Sequence, residues 1–255
     1  MQDLKVTLVQ ADQVWEDKQA NFSNFERLLK DVETDLIVLP EMFQTGFTMN
    51  TSLAENSNSS PSIEWLKKIA KEKDAAIYTS LMIEEDGKTY NRGVFIQNNQ
   101  SDIHYNKRKT FGLAREDDHI QAGNSETIVE YKGWKLQLQI CYDLRFPEIV
   151  RNKILPNLLP AYDVIVYVAN WPEKRSAHWN ALLTARAIEN QSFVIGVNRI
   201  GEDQNGLAYS GNSKMIDALG EEFSLEPSVE CLKTFVLKID ELNQVRKSLP
   251  FLKDA

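Results

Sequence analysis

The sequence predicts an α/β fold with mixed sheets. Short runs rich in Val, Ile and Leu recur along the whole chain, as buried strands do. Patterns of helical period lie between some of these runs. Other runs are joined by Asp-Gly and Asn-Gly signals, which mark antiparallel hairpins. Crossover helices and hairpins in one chain give mixed rather than purely parallel sheets. Two sheets face to face, with helices outside, fit this pattern.

The elements follow in chain order. Residues 6–9 form the first apolar run. Residues 18–32 place Phe22, Phe25, Leu28, Leu29 and Val32 on one helical face. The strand at 36–39 ends at Pro40, which has no N–H to continue a ladder. The polar segment 54–62 reads as a loop. It runs into a helix over 61–72, with Ser60 as N-cap, Pro61 at the first helical position, and Trp65, Leu66 and Ile69 inward. Strands at 76–82 and 93–97 flank an Asp86-Gly87 turn. Over 136–140, Leu136, Leu138 and Ile140 alternate with Gln137 and Gln139, a strand with one apolar face. Cys141 follows, and Pro147 suits the first turn of a helix. Residues 164–169 and 193–197 are strands around a helix at 177–190. Asn205-Gly206 signals a second hairpin, and 235–239 is the last strand.

There is no internal repeat and no low-complexity linker, so residues 1–255 read as a single domain, long enough to bury a sizeable core. Composition is that of an ordinary globular protein, 42% hydrophobic and 26% charged. A net charge of −8 argues against a general nucleic-acid surface, while leaving room for a basic pocket. The first residues lack the basic-then-apolar pattern of a secretory signal, and no apolar run reaches roughly the 18 residues of a membrane span. Cys141 and Cys231 alone give no disulfide framework, and Cys231 reads as structural. A cytoplasmic setting, where a thiol stays free, is the expectation. His104, His119 and His178 are scattered and form no metal-ligand spacing, so no metal is expected.

Cys141 sits where a strand gives way to a turn and a helix start, an elbow on which nucleophiles are often presented. Alone it reads more readily as a buried structural cysteine. Acyl transfer from an amide also needs a base, a proton for the leaving amine and stabilisation of the oxyanion. Glu41 follows the 36–39 strand beside an apolar core, where burial suits a base. Lys107 and Lys109, between Tyr105 and Phe111, offer a cation, and residue chemistry does not separate them. Trp171 offers a pocket wall, and Arg175 a planar fork for a carboxylate. No histidine has a local context that makes a Cys–His dyad the better reading.

The segments LPEMFQTGF, YNKRKTF and ICYDLRFPE, in that order, resemble the signature segments of the nitrilase, or carbon–nitrogen hydrolase, superfamily. The later NWP, ARAIENQ and GNSKMIDALGE segments are similar too, so the resemblance covers essentially the whole chain. It implies a Glu–Lys–Cys triad at Glu41, Lys107 and Cys141, choosing Lys107 because the family lysine follows an aromatic residue by two. It also implies a four-layer α-β-β-α sandwich, assembly as a homodimer or larger, and no cofactor. Glu116 matches a second family glutamate, with Asp117 and Asp118 as neighbours that could replace it. The family's Lys-x-His-Leu-Phe is here Lys107-Arg108-Lys109-Thr110-Phe111, which changes the loop beyond the lysine.

On the implied mechanism, Cys141 attacks a carbonyl while Lys107 and the Tyr142 N–H hold the oxyanion and Glu41 carries the proton. Within the superfamily the chain looks most like the omega-amidase group, which hydrolyses the terminal amide of 2-oxo acids such as 2-oxoglutaramate and 2-oxosuccinamate. Arg175 would then hold the far carboxylate, and Phe43, Phe47 and Trp171 would wall the pocket. A carbamoylase or other amidase of the superfamily is the alternative. A silent binding protein on the same scaffold is a third reading.

Overall fold

The computed structural model describes residues 2–98 and 100–254. The first six strands are β1 (Leu4–Gln10), β2 (Leu36–Val38), β3 (Glu55–Asn56), β4 (Ala76–Glu85), β5 (Lys88–Ile96) and β6 (Ile103–Asn106). They form one sheet, ordered β1-β2-β4-β5-β6 with β3 beside β4. A second sheet uses β7 (Ile128–Tyr131), β8 (Trp134–Ile140), β9 (Val164–Ala169) and β10 (Phe193–Asn198). A separate hairpin follows, β11 (Ile200–Glu202) with β12 (Ala208–Ser210), before β13 (Lys214–Ile216) and β14 (Glu222–Ser224) complete the second sheet. The final strand, β15 (Cys231–Leu237), returns to pair antiparallel with β1. Four α-helices are α1 (Lys18–Leu29), α2 (Pro61–Lys73), α3 (Ser176–Asn190) and α4 (Ile239–Ser248).

Each sheet has a parallel centre and antiparallel margins. β1, β2 and β4 run parallel in the first, and β8, β9 and β10 in the second. These strands are buried on both faces, so they read as continuous apolar runs. Leu4, Val6, Leu8 and Val38 meet Leu138, Val166 and Ile195 between the sheets. The opposite faces pack on helices. Ile37 and Ile77 meet Phe25 of α1 and Leu66 of α2, and Ile165 and Val194 meet Trp179 and Leu183 of α3. The result is the four-layer α-β-β-α sandwich.

Local chemistry sets the element ends. Asp17 caps α1 by accepting from the Ala20 N–H, and Ser60 caps α2 from the Ile63 N–H, with Pro61 at its first position. The β4–β5 turn holds Asp86 at φ 51 and Gly87 at φ 72, the paired positive angles of a type I′ hairpin.

Three expectations need correction. The last strand lies at Cys231–Leu237, and Ile239 instead opens α4, a helix whose buried side is only Ile239 and Leu242. The turn at Pro147 is a single 3-10 turn, Pro147–Ile149. The segment 54–62 is more than a loop: β3 lies in it, and buried Glu55 pairs with Lys18 at 2.8 Å and accepts from Ser62. Among the described residues, no helix is long and apolar enough to cross a membrane. Both cysteines are free.

Candidate active site

Glu41, Lys107 and Cys141 each lie just beyond the end of a strand, β2, β6 and β8 respectively. The strand ends bring them together. Glu41 is fully buried and fixed along its length. Its Oε1 accepts from Asn91 Nδ2 at 2.8 Å and Lys107 Nζ at 3.1 Å, and its Oε2 accepts from the Asn170 N–H at 2.8 Å. Its backbone carbonyl accepts from Asn170 Nδ2 at 2.6 Å and Gln13 Nε2 at 3.0 Å. Lys107 Nζ also donates to Glu116, at 3.0 and 2.9 Å from the two carboxylate oxygens. Glu116 itself is held by the Phe111 N–H at 2.6 Å. Of the three neighbouring acids, Glu116 is buried while Asp117 and Asp118 are exposed. An ammonium has three donors. Its three contacts, one to Glu41 and two to Glu116, match that number and fix the ammonium where it lines the cavity.

Cys141 opens a short 3-10 turn, Cys141–Arg145, with φ 44. That left-handed angle is uncommon for a residue with a Cβ and needs support from its surroundings. Asp143 supplies it. Its Oδ2 accepts from the Ile140 N–H at 3.0 Å and the Tyr105 hydroxyl at 2.7 Å, and its Oδ1 from the Lys109 N–H at 2.9 Å. One carboxylate thus ties the strand end, the elbow and the lysine loop together. Tyr78 of β4 donates to the Gln139 carbonyl at 3.0 Å and fixes the same strand to the first sheet.

The electrostatics follow from burial. Desolvation alone would lower the Lys107 pKa, but the Glu116 and Glu41 carboxylates outweigh it and raise it, so the ammonium is permanent. Burial, then the Glu41 charge, push the Cys141 thiol well above its ordinary value, against the opposing pull of Lys107. The resting cluster is therefore a neutral thiol beside two carboxylates and one ammonium. Burial raises Asp143 to about 6, although its three donors act in the other direction.

Cys141 and Lys107 line a cavity of about 610 Å³. Phe47, Tyr142, Trp171 and Arg175 also line it. The Arg175 guanidinium lies over Phe111 at 5.3 Å, and Arg145 lies over Trp171 at 4.6 Å. The hairpin β11–β12 adds Asp203 and Tyr209 to the lining, joined by a 2.8 Å hydrogen bond. Among the described residues, no cluster of His, Cys, Asp and Glu is arranged to hold a metal ion.

The carbon–nitrogen hydrolase family profile matches residues 5–230. The chain belongs to the carbon–nitrogen hydrolase family. It is 42% identical over 258 residues to the omega-amidase YafV of Yersinia enterocolitica, covering all of this chain and 98% of that one. It is 32% identical to the 2-oxoglutaramate amidase of Bacillus subtilis, covering 86% of this chain and 84% of that one. XC1258 from Xanthomonas campestris, a CN-hydrolase superfamily protein crystallised with an arsenic adduct in its active site, superposes with a TM-score of 0.97 at 34% identity, covering 100% of this chain and 98% of that one.

For this carbon–nitrogen hydrolase, the geometry brings Glu41, Lys107, Glu116 and Cys141 into one cluster and puts Tyr142, Phe47, Trp171 and Arg175 on the cavity. Phe43 is a correction. It is fully buried on the far side of the first sheet, stacked with Trp65 at 5.5 Å and Phe22 at 5.9 Å, and does not reach the cavity. The chain reverses after Pro40, with Met42 at φ 45 and Gly46 at φ 73, so Phe43 and Phe47 face opposite ways. Sequence reasoning passed over Asn91, Asp143, Arg145 and Asn170. For Arg145 and Asp143 a signal exists: polar residues on the elbow itself. Asn91, in mid-strand, carries none.

Proposed function

We propose that the protein is an omega-amidase, which converts 2-oxoglutaramate or 2-oxosuccinamate to the 2-oxo dicarboxylic acid and ammonia through a thioester on Cys141. The observation that carries this reading is the pair Arg145 and Arg175. Both line the cavity beside the Glu41–Lys107–Cys141 cluster, and among the described residues neither forms an ion pair. A small amide with a carboxylate at its far end matches that charge. The omega-amidase and 2-oxoglutaramate amidase names of the two relatives support it.

The steps follow from the charges. Cys141 Sγ attacks the amide carbon as Glu41 takes the thiol proton. The negative charge leaves Glu41 and appears on the carbonyl oxygen, between the Lys107 ammonium and the Tyr142 N–H, so the cluster keeps its net charge. Glu41 passes the proton to the amide nitrogen, the C–N bond breaks and ammonia leaves. Water then attacks the thioester, Glu41 takes its proton, the C–S bond breaks and the thiol regains that proton. Glu116 holds Lys107 in place throughout. The steps require no cofactor.

Ammonia release from the two oxo-acid amides, beside an N-carbamoyl amino acid, a neutral aliphatic amide and a nitrile, tests the substrate. Fast release confined to the oxo-acid amides is expected. Turnover of another member of the panel alone moves the protein to another branch of its family. A homodimer or larger assembly and a cytoplasmic setting belong to the same proposal, checked by sedimentation and cell fractionation. So does the reading of residues 1–255 as one domain, which a single cooperative unfolding transition checks.

A further inference from the structure

Arg145 lies on the same short turn as Cys141, with its guanidinium over the Trp171 ring at 4.6 Å and the Tyr142 ring at 5.9 Å. Aromatic faces leave it free to slide and rotate in their plane. Among the described residues it forms no ion pair, and the one side-chain hydrogen bond it makes is to His178 Nδ1, from Nη2 at 3.2 Å. Arginine has donors only, so the imidazole must accept. An imidazole acceptor fixes the direction of the guanidinium without bringing the full negative charge of a carboxylate. A carboxylate in the same place would compete with an anionic substrate.

His178 is exposed, and its position is set by the helix that carries it. His178 lies in the first turn of α3. From the same helix, Arg186 Nη2 donates to the Leu144 carbonyl of the elbow at 2.6 Å. The helix that carries His178 and the turn that carries Arg145 are thus joined a second time, about two helical turns further along α3.

We propose that His178 is a positioning residue, holding the Arg145 guanidinium toward the cavity and thereby setting the affinity for the substrate's carboxylate. This rests on the reading of the substrate as a carboxylated amide. His178 touches no reacting atom, so its removal acts on binding and leaves the chemical step alone.

The test compares His178→Ala and His178→Asn with the wild type, on 2-oxoglutaramate and on a neutral aliphatic amide of the same length. His178→Ala is expected to raise KM for 2-oxoglutaramate about tenfold, the loss of one hydrogen bond to a charged group. Its kcat, and both constants for the neutral amide, stay within about twofold. His178→Asn puts a carbonyl oxygen near the Nδ1 position and is expected to recover most of the lost affinity. An unchanged KM in His178→Ala, an equal change for both amides, or no recovery in His178→Asn overturns the proposal while the substrate reading stands. Equal use of both amides by the wild type overturns the substrate reading, and this proposal with it.

Discussion

At Cys141 the backbone is left-handed and the thiol is held neutral, which makes the residue a nucleophile only when a base acts on it. Replacing Cys141 by Ala is expected to abolish turnover with the fold intact, seen as lost ammonia release with an unchanged circular dichroism spectrum. Because the Glu41 charge helps to raise the thiol, Glu41→Gln is expected to lower its pKa even as hydrolysis falls by about 10²–10⁴. Ultraviolet thiolate absorbance, taken as the difference from Cys141→Ala, follows the titration. A thiolate already formed in the wild type at neutral pH contradicts the neutral-thiol account. Asp143 gives a stability signature of definite sign. Its folded value of about 6 lies above the ordinary 3.8, so the native state binds the proton more tightly than the unfolded chain. Its contribution to stability therefore falls as pH rises between those values, by about 3 kcal/mol. Urea denaturation of wild type and Asp143→Asn across that range is expected to show this fall in the wild type alone. The Glu41–Lys107–Cys141 set was legible through the family resemblance of three short motifs, because residue chemistry alone left Cys141 a structural cysteine and Lys107 inseparable from Lys109. Phe43 was not, because two left-handed residues at Met42 and Gly46 reverse the chain between it and Phe47, and no periodicity reports such a reversal.

At the scale of elements, α3 does two jobs. Its apolar face covers the second sheet, and its polar residues reach the elbow. Gly196 of β10 is where the helix comes closest: a Cβ there would lie 2.6 Å from Leu183 and 2.9 Å from Trp179. Gly196→Ala is expected to lift α3 and destabilise the fold by about 1–3 kcal/mol, measured as a lower urea midpoint. Strands buried on both faces were legible as apolar runs, and the β4–β5 hairpin through its Asp86-Gly87 turn. The helix α4 was not. It buries only Ile239 and Leu242, and the strand ahead of it is buried only at Phe235 and Leu237, so a period of two runs into the helix start without a break.

The whole molecule is acidic, with a net charge of −8, yet its cavity presents the guanidinium groups of Arg145 and Arg175. Two guanidinium groups on a cavity of a negative body attract anions at short range, an effect that salt screens. The kcat/KM for 2-oxoglutaramate is expected to fall as ionic strength rises, while that for a neutral amide stays level. The layered architecture was foreshadowed by the mixture of crossovers and hairpins. The pairing of the two sheets came from the family resemblance, since periodicity within a strand does not say which other strand it faces.

The proposed reaction is covalent: the acyl group of the amide is carried as a thioester on Cys141. Hydroxylamine tests it directly, because it intercepts a thioester as a hydroxamate. With glutaramate, the oxo-free analogue that cannot form an oxime with hydroxylamine, hydroxamate is expected to accumulate in proportion to hydroxylamine while the free acid falls, and Cys141→Ala is expected to form neither. Ammonia and free acid produced at the full rate with no hydroxamate, at any hydroxylamine concentration, contradict it.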